Sequence, residues 1–282
     1  MIRPDLHLHS TASDGTLSPA ELVKAAGEAG LTVISLTDHD TFAGYDAVKE
    51  TAGIELIPGI ELSMGDMDGL HILCYGLTRA ESLRQRVTDL AEKRLRRAER
   101  MCEKLEALGL PLDFDPVPGM TIGRMQIARA MIEKGYVRTV AEAFARYIGN
   151  DGPAYVASER MSIAEALPLI RRCGFVPVLA HPCELKVSEA LLSQLLDRWM
   201  EMGLMGVEAY HPSSAGGAFR VLERMARERG LLVTGGSDFH ERNDTKHGTM
   251  GCMLKNWHSA GEDVERLKAA MSASAGEQIG GQ

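Results

Sequence analysis

With 282 residues, 45% of them hydrophobic and 25% charged, the chain is long and apolar enough to bury a substantial core, which excludes wholesale disorder. No apolar run approaches the roughly 20 residues that span a bilayer, and the opening residues lack a basic and then apolar leader, so a cytoplasmic protein without membrane contact is expected. The net charge of −8 opposes indiscriminate nucleic-acid binding, and five widely spaced cysteines without a C-x-x-C fit free thiols in a reducing compartment.

Residues 2–8 and 32–37 ("TVISLT") read as short buried strands. Between them "SPAELVKAAGEAG" reads as a helix, with Ser18 as N-cap, Pro19 at the first helical position and Gly30 as the stop. "GIELIPGIEL" and "GLHILCYGL" supply two further apolar strands. The rhythm then breaks. A long charged helix from about Glu81 to Leu108 leads into a Pro/Gly-rich turn, "GLPLDFDPVPGM", and two helical pieces, "GRMQIARAMIEKG" and "TVAEAFARYIG". Helix–strand alternation resumes with "SIAEALPLIRRCG" and "FVPVLAHP", and twice more through "LLVTGGSDFH". This pattern predicts an α/β fold built on a parallel sheet, open or closed into a barrel, over residues 1–79 and 156–271. A helical subdomain is inserted at 80–155, and 272–282 reads as a flexible tail.

The chemistry begins at "PDLHLHSTASDG". Side chains alternate along a strand, so Asp5, His7 and His9 share one face while Leu6 and Leu8 share the other. The two imidazoles then stand about 6–7 Å apart at their bases. From there they can converge on one cation at roughly 2.1 Å, with Asp5 placed to steady a ring. Further donors recur along the chain: Asp14 in "SDG", His39 in "SLTDHDT", Glu61 in "PGIEL", His71 in "GLHIL", His181 in "VLAHP", and Asp238 and His240 in "GGSDFH". Each lies at or near the C-terminal end of a predicted strand, the rim where active sites form, except His71, which begins one. The set is too large for a single ion and suits two or three, with Glu61 able to bridge. Imidazole and carboxylate without thiolate favour Mn, Fe or Zn over Ca or Mg. Two or three divalent ions would outweigh Asp14, Glu61 and Asp238, making a cationic pocket that attracts a phosphate dianion.

In this order, "DLHLHSTASDG", "SLTDHDT", "PGIE", "GLHILCYG", "LAHP" and "GGSDFH" resemble the polymerase-and-histidinol-phosphatase (PHP) superfamily of metal-dependent phosphoesterases. The resemblance implies a distorted (β/α)7 barrel with a di- or trinuclear metal centre, manganese foremost, at its C-terminal rim. It implies His7, His9, Glu61 and Asp238 around one ion, Glu61, His71 and His181 around a second, and Asp14, His39 and His240 around a third. "TIGRMQIARAMIEKGYV" is similar to a helical insertion of the stand-alone bacterial members, which carry Gly-Arg-Pro-His-Ile-Ala-Arg. Here Gly123, Arg124, Ile127, Ala128 and Arg129 match, while Met125 and Gln126 replace Pro-His. By this likeness Arg124 faces the metal centre and clamps phosphate; Arg129, five residues on, points elsewhere on the helix and stands behind it as a further candidate for substrate contact. An arginine fork at a helix N-terminus suits that task. "VEAYHPS" is similar to the segment near the leaving group, which makes His211 the expected general acid and substrate contact.

The implied activity is hydrolysis of nucleotide phosphomonoesters: the 3′-phosphate of nucleoside 3′,5′-bisphosphates, and the 5′ ends of short RNA. No stable protein partner is implied. A histidinol-phosphate phosphatase is the alternative within the superfamily. A non-catalytic metal- and nucleotide-binding polymerase accessory module is the alternative of another class. The basic run from Arg84 to Lys104 reads as a solvated helix face with i,i+4 ion pairs.

Overall fold

A computed structural model describes residues 2–51, 53–76, 81–113, 122–242 and 248–279. Its sheet contains β1 (Pro4–Leu8), β2 (Val33–Leu36), β3 (Glu55–Ser63), β4 (His71–Tyr75), β5 (Val176–Leu179), β6 (Gly206–Tyr210) and β7 (Leu232–Gly235), paired in chain order. Leu8 bridges to Phe239 just past β7, and the His9 amide donates to the Phe239 carbonyl at 3.0 Å, so the sheet nearly closes into a barrel. The fold is the distorted barrel the resemblance implied.

One strand departs from the expected parallel sheet. β4 is antiparallel to both β3 and β5. Only residues 64–70 join β3 to β4, too few for the crossover that a parallel pair needs, so the chain turns back as a hairpin. The reversal explains His71. It begins β4, and in an antiparallel strand the beginning lies at the rim where the parallel strands end.

Outside the sheet lie α1 (Pro19–Glu28), α2 (Ala43–Ala47), α3 (Glu81–Ala107), α4 (Arg124–Glu133), α5 (Val140–Ala143), α6 (Ile163–Arg172), α7 (Glu189–Glu201), α8 (Ala218–Glu228) and α9 (Ala260–Ile279). The predicted start of α1 is a capping box: Ser18 accepts from the Glu21 amide, and the Glu21 carboxylate accepts from the Ser18 amide. Its buried Leu22, Val23 and Ala26 pack with Leu8, Ile34 and Leu36 of the sheet. The apolar face of α3 changes partner along its length. Leu83, Val87 and Leu90 join the barrel core, whereas Ala98, Met101 and Leu105 join a separate cluster with Ile127, Ala128 and Met131 of α4.

Helix α9 continues through Ile279, well into the segment expected to be a flexible tail. Its buried Val264, Leu267 and Met271 hold it to the barrel core, and the helix propagates past them. Residues 114–121 of the Pro/Gly-rich turn, and 77–80 at the expected start of the insertion, lie outside the described residues. Among the described residues no helix is long and apolar enough to cross a membrane.

Candidate metal centre

The rim formed by the ends of β1, β2, β3, β5 and β7 and the start of β4 gathers the predicted donors from distant parts of the chain. Glu61 is the hub. Its Oε2 lies 3.3 Å from His7 Nε2, 3.2 Å from His9 Nε2 and 3.0 Å from His39 Nδ1. Its Oε1 lies 2.8 Å from His71 Nδ1 and 2.9 Å from His181 Nε2. Each carboxylate oxygen therefore faces a different set of imidazoles, the arrangement a bridging ligand requires. Asp238 Oδ1 stands 3.3 Å from His7 and 3.2 Å from His9, and Asp14 Oδ1 stands 3.1 Å from His240. Three groupings of donor atoms result: His7, His9, Glu61 and Asp238; His9, Asp14, His39 and His240; and His39, Glu61 and His71.

The donors have the state a cation site needs. His7 Nε2, His9 Nε2, His39 Nδ1, Glu61 Oε2 and His211 Nε2 are buried with no hydrogen-bond partner. An unpartnered buried polar atom costs about 1–3 kcal/mol. Several converging on one point are more economically explained by divalent metal than by independent errors of packing. Burial pushes the His9 imidazole down, but the adjoining Asp238 and Glu61 carboxylates outweigh it and leave it at about 10. Burial likewise opposes charge on Asp14, Glu61 and Asp238, yet the surrounding histidines hold all three well below the usual carboxylate range. At His39 burial wins, and the ring is held well below its ordinary value. Ionised carboxylates beside neutral or displaceable protonated rings are the donor forms a metal takes.

The backbone is strained at the same place. Asp40, His181 and Asp238 adopt positive φ of 49°, 28° and 52°, a region that costs a non-glycine residue about 1–3 kcal/mol. Gly236 answers a different demand. A Cβ there would stand 2.4 Å from His7 Cβ, so β7 can pass this close to β1 only without a side chain.

Two carboxylates act behind the donors. Glu208 of β6 is fully buried, accepts from the His181 amide at 2.8 Å and holds His7 Nδ1 at 2.9 Å, leaving His7 Nε2 aimed at the cluster. Asp38 accepts from the Ser10 amide and from the Ser10 and Ser13 hydroxyls, fixing the loop that carries Asp14. Sequence reading missed both roles. A lone carboxylate inside the apolar strand "GVEAY" was the available signal for Glu208. Asp5, expected to steady an imidazole, instead accepts from the Ser237 and Gly251 amides and ties β1 to the segment after β7.

Above the donors lies a cleft of about 300 Å³ whose wall includes Met125, Arg129, Val140 and Glu184. Arg129 Nη1 donates to the Asp14 carbonyl at 2.9 Å. Gln126, at a position where the resemblance has histidine, accepts from the Gly123 amide and donates to the Ser13 carbonyl, seating α4 on the loop after β1. Arg124 is not in this wall. Its guanidinium donates to Asn150 Oδ1 at 2.9 Å, stands 5.1 Å from the Phe144 ring centre, and faces a second pocket. The resemblance expected Arg124 at the metal centre, whereas here it lines the second pocket and Arg129, five residues on and about 140° around the helix, lines the cleft. His211 does reach the cluster: its Nε2 is 3.4 Å from Asp238 Oδ2, and its Nδ1 meets Ser213. It forms a further donor group with Glu184 and Asp238.

The comparisons with known proteins agree with this architecture. The family model for the PHP domain matches residues 5–101. A 5′-3′ exoribonuclease of Haemophilus influenzae is 36% identical over 248 residues, covering 84% of this chain and 89% of the relative. A 3′,5′-nucleoside bisphosphate phosphatase of Chromobacterium violaceum is 31% identical over 251 residues, covering 85% and 88%. Among solved structures, a Bifidobacterium adolescentis protein assigned as a metal-dependent phosphoesterase superposes with a TM-score of 0.79 at 29% identity, covering 95% of this chain and 96% of that one. Barrel, rim and relatives together place this chain in the PHP family of metal-dependent phosphoesterases.

Proposed function

We propose that the protein removes the 3′-phosphate of nucleoside 3′,5′-bisphosphates and trims the 5′ ends of short RNA in the cytoplasm, using two or three divalent ions, manganese first. The observation that carries this reading is the convergence of unpartnered imidazole and carboxylate atoms on Glu61 beneath an arginine-walled cleft. The Haemophilus and Chromobacterium relatives, named for RNA and nucleotide substrates, favour it over histidinol phosphate.

The ligand sets in this reading are those of the resemblance: His7, His9, Glu61 and Asp238; Glu61, His71 and His181; Asp14, His39 and His240. Ions held there would lower the pKa of a coordinated water towards about 7 and neutralise charge growing on phosphoryl oxygens. Arg129 offers its fork to the phosphoryl group from the cleft wall and orients it for in-line attack. His211, its Nε2 turned to the same point, gives a proton to the leaving alkoxide. Met125 and Val140 give the cleft an apolar side against which a nucleoside can lie. Residues 80–155 act in this reading as an inserted unit that completes the cleft over the barrel of 1–79 and 156–271.

The test is phosphate release from adenosine 3′,5′-bisphosphate, 5′-AMP and histidinol phosphate, and mononucleotide release from a 5′-phosphorylated short RNA, each with manganese. Release from the bisphosphate and the RNA, abolished by Asp238→Asn, is expected. Release from histidinol phosphate alone, or from none, refutes the reading.

A further inference from the structure

Asp14, Glu61 and Asp238 in the cleft belong to the ligand sets above, but Glu184 in the same wall does not. It follows His181 by three residues, in the single helical turn Pro182–Leu185 after β5. Pro182 and Leu185 are buried, and the Glu184 amide donates to the His181 carbonyl at 2.9 Å, so the turn is fixed to the rim. Glu184 itself is half-buried. Glu241, the other carboxylate of the wall outside those sets, is exposed. A fixed negative charge in a cleft that takes phosphate repels its own ligand. The charge is accounted for when another part of the substrate, a hydrogen-bond donor, meets it.

The neighbour of Glu184 in the cleft is His211. A Glu184 carboxylate oxygen, a His211 ring nitrogen and an Asp238 carboxylate oxygen lie within 4.8 Å of one another. The hydrogen bonding of His211 argues against a further cation there. Its Nδ1 accepts from the Ser213 amide at 3.0 Å. A backbone N–H only donates, so the Nδ1 lone pair is taken and the hydrogen of the neutral ring sits on Nε2. In that form Nε2 has no lone pair for a metal. It is buried without a hydrogen-bond partner, 3.4 Å from Asp238 Oδ2. The trio thus offers the cleft an N–H donor beside the Glu184 acceptor.

A donor and an acceptor so placed match two neighbouring oxygens of one sugar. In a nucleoside 3′,5′-bisphosphate the bond broken is P–O3′. When a 5′ nucleotide is trimmed from RNA, it is the P–O3′ bond of that nucleotide. In both, O3′ leaves with the His211 proton, and the 2′-hydroxyl is the next oxygen on the same face of the ribose. A hydrogen bond from His211 Nε2 to O3′ and one from the 2′-hydroxyl to Glu184, each about 2.8 Å, fit a donor and acceptor within 4.8 Å of each other. A 2′-deoxy substrate brings its phosphate to the same carboxylate without that donor. We propose that Glu184 reads the ribose 2′-hydroxyl beside the leaving O3′ and makes the site selective for ribo- over deoxyribonucleotides. This rests on the phosphoesterase reading above, with His211 as the acid.

The experiment measures kcat/KM with manganese for adenosine 3′,5′-bisphosphate and its 2′-deoxy analogue in wild type, Glu184→Ala and Glu184→Gln. Separately, calorimetry on the same proteins with manganese gives dissociation constants for the products, 5′-AMP and 2′-deoxy-5′-AMP. Wild type should favour the ribo member of each pair by about tenfold or more. In Glu184→Ala both preferences should fall to about one, and in Glu184→Gln, which keeps a neutral acceptor, to a value between. Equal treatment of the two members by wild type overturns the proposal. So does a preference kept in Glu184→Ala, including one kept while both substrates lose the same factor, which would make Glu184 a structural residue of its turn. If wild type hydrolyses neither bisphosphate, the functional reading fails, and the calorimetric ratio still decides the hydroxyl; if neither product binds, the proposal fails with it. If Glu184→Ala does not fold, Glu184→Gln decides, an undiminished preference overturning the proposal.

Discussion

Glu208 Oε1 lies 2.9 Å from His7 Nδ1, and both side chains are fully buried. The other oxygen of the same carboxylate takes the His181 amide. One residue of β6 thus orients donors from β1 and from the end of β5. Glu208→Gln keeps the shape but has a single acceptor oxygen for these two N–H groups. Metal affinity should fall about 10- to 100-fold, with a destabilisation of about 1–3 kcal/mol from the group left unsatisfied. Competitive metal titration checks this, and wild-type affinity in the variant would remove Glu208 from the account.

Gly236→Ala tests the close passage of β7 past β1. The new methyl would overlap the His7 backbone and Cβ, so strand or ring must shift. A loss of about 1–3 kcal/mol in stability is expected, together with a fall in bound metal. Thermal unfolding with and without manganese separates the two effects. A variant that unfolds like wild type and loads metal fully would show that the approach is not tight.

Arg129→Ala should lower kcat/KM for nucleotide phosphomonoesters at least tenfold, about 1.4 kcal/mol of lost transition-state binding. Arg129→Lys should recover only part, because an ammonium lacks the planar fork. Steady-state kinetics at saturating metal read this directly. Unchanged kcat/KM in the alanine variant would take Arg129 out of the cleft chemistry.

The metal-free protein should lose stability as pH rises. His9 is raised to about 10 in the fold by Asp238 and Glu61 against the opposing effect of burial, from about 6.5 unfolded. Its contribution is complete below the unfolded value and disappears as pH rises through the folded one. The carboxylates Asp14, Glu61 and Asp238 are depressed, so their contribution holds above about pH 4 and is lost in acid. Ions compete with the ring protons, so metal should bind more tightly and raise the Tm more at pH 9 than at pH 6. Melting curves in chelator and in manganese across that range check both slopes. A metal-induced shift that shrinks with rising pH would contradict the assignment of these rings as donors.

The convergence of these histidines and carboxylates was legible because their signals are local. H-x-H and D-x-H put two imidazoles, or an acid and an imidazole, on one side of an extended segment, and strand-end positions repeat along the chain. The substrate side was less so. Arg124 and Arg129 are equally good phosphate ligands as residues, and which one faces the cleft depends on how α4 is rotated against the barrel. That rotation is set by Gln126 and the loop after β1, contacts between segments more than a hundred residues apart. The direction of β4 followed from the length of its connection, and the helical C-terminal segment from packing that composition does not show. Glu208 was written in the sequence as an acid in an apolar strand, but its two partners become visible only when β1, β5 and β6 lie side by side.

The central claim is that these distant donors close around divalent ions that the reaction needs. Chelator-stripped protein titrated with manganese, with bound metal and phosphate release from adenosine 3′,5′-bisphosphate read on the same sample, tests it most directly. Activity absent at zero metal and rising with the binding of two or three ions per chain is the predicted result. Less than one ion bound at saturation, or full hydrolysis in the stripped protein, would contradict it.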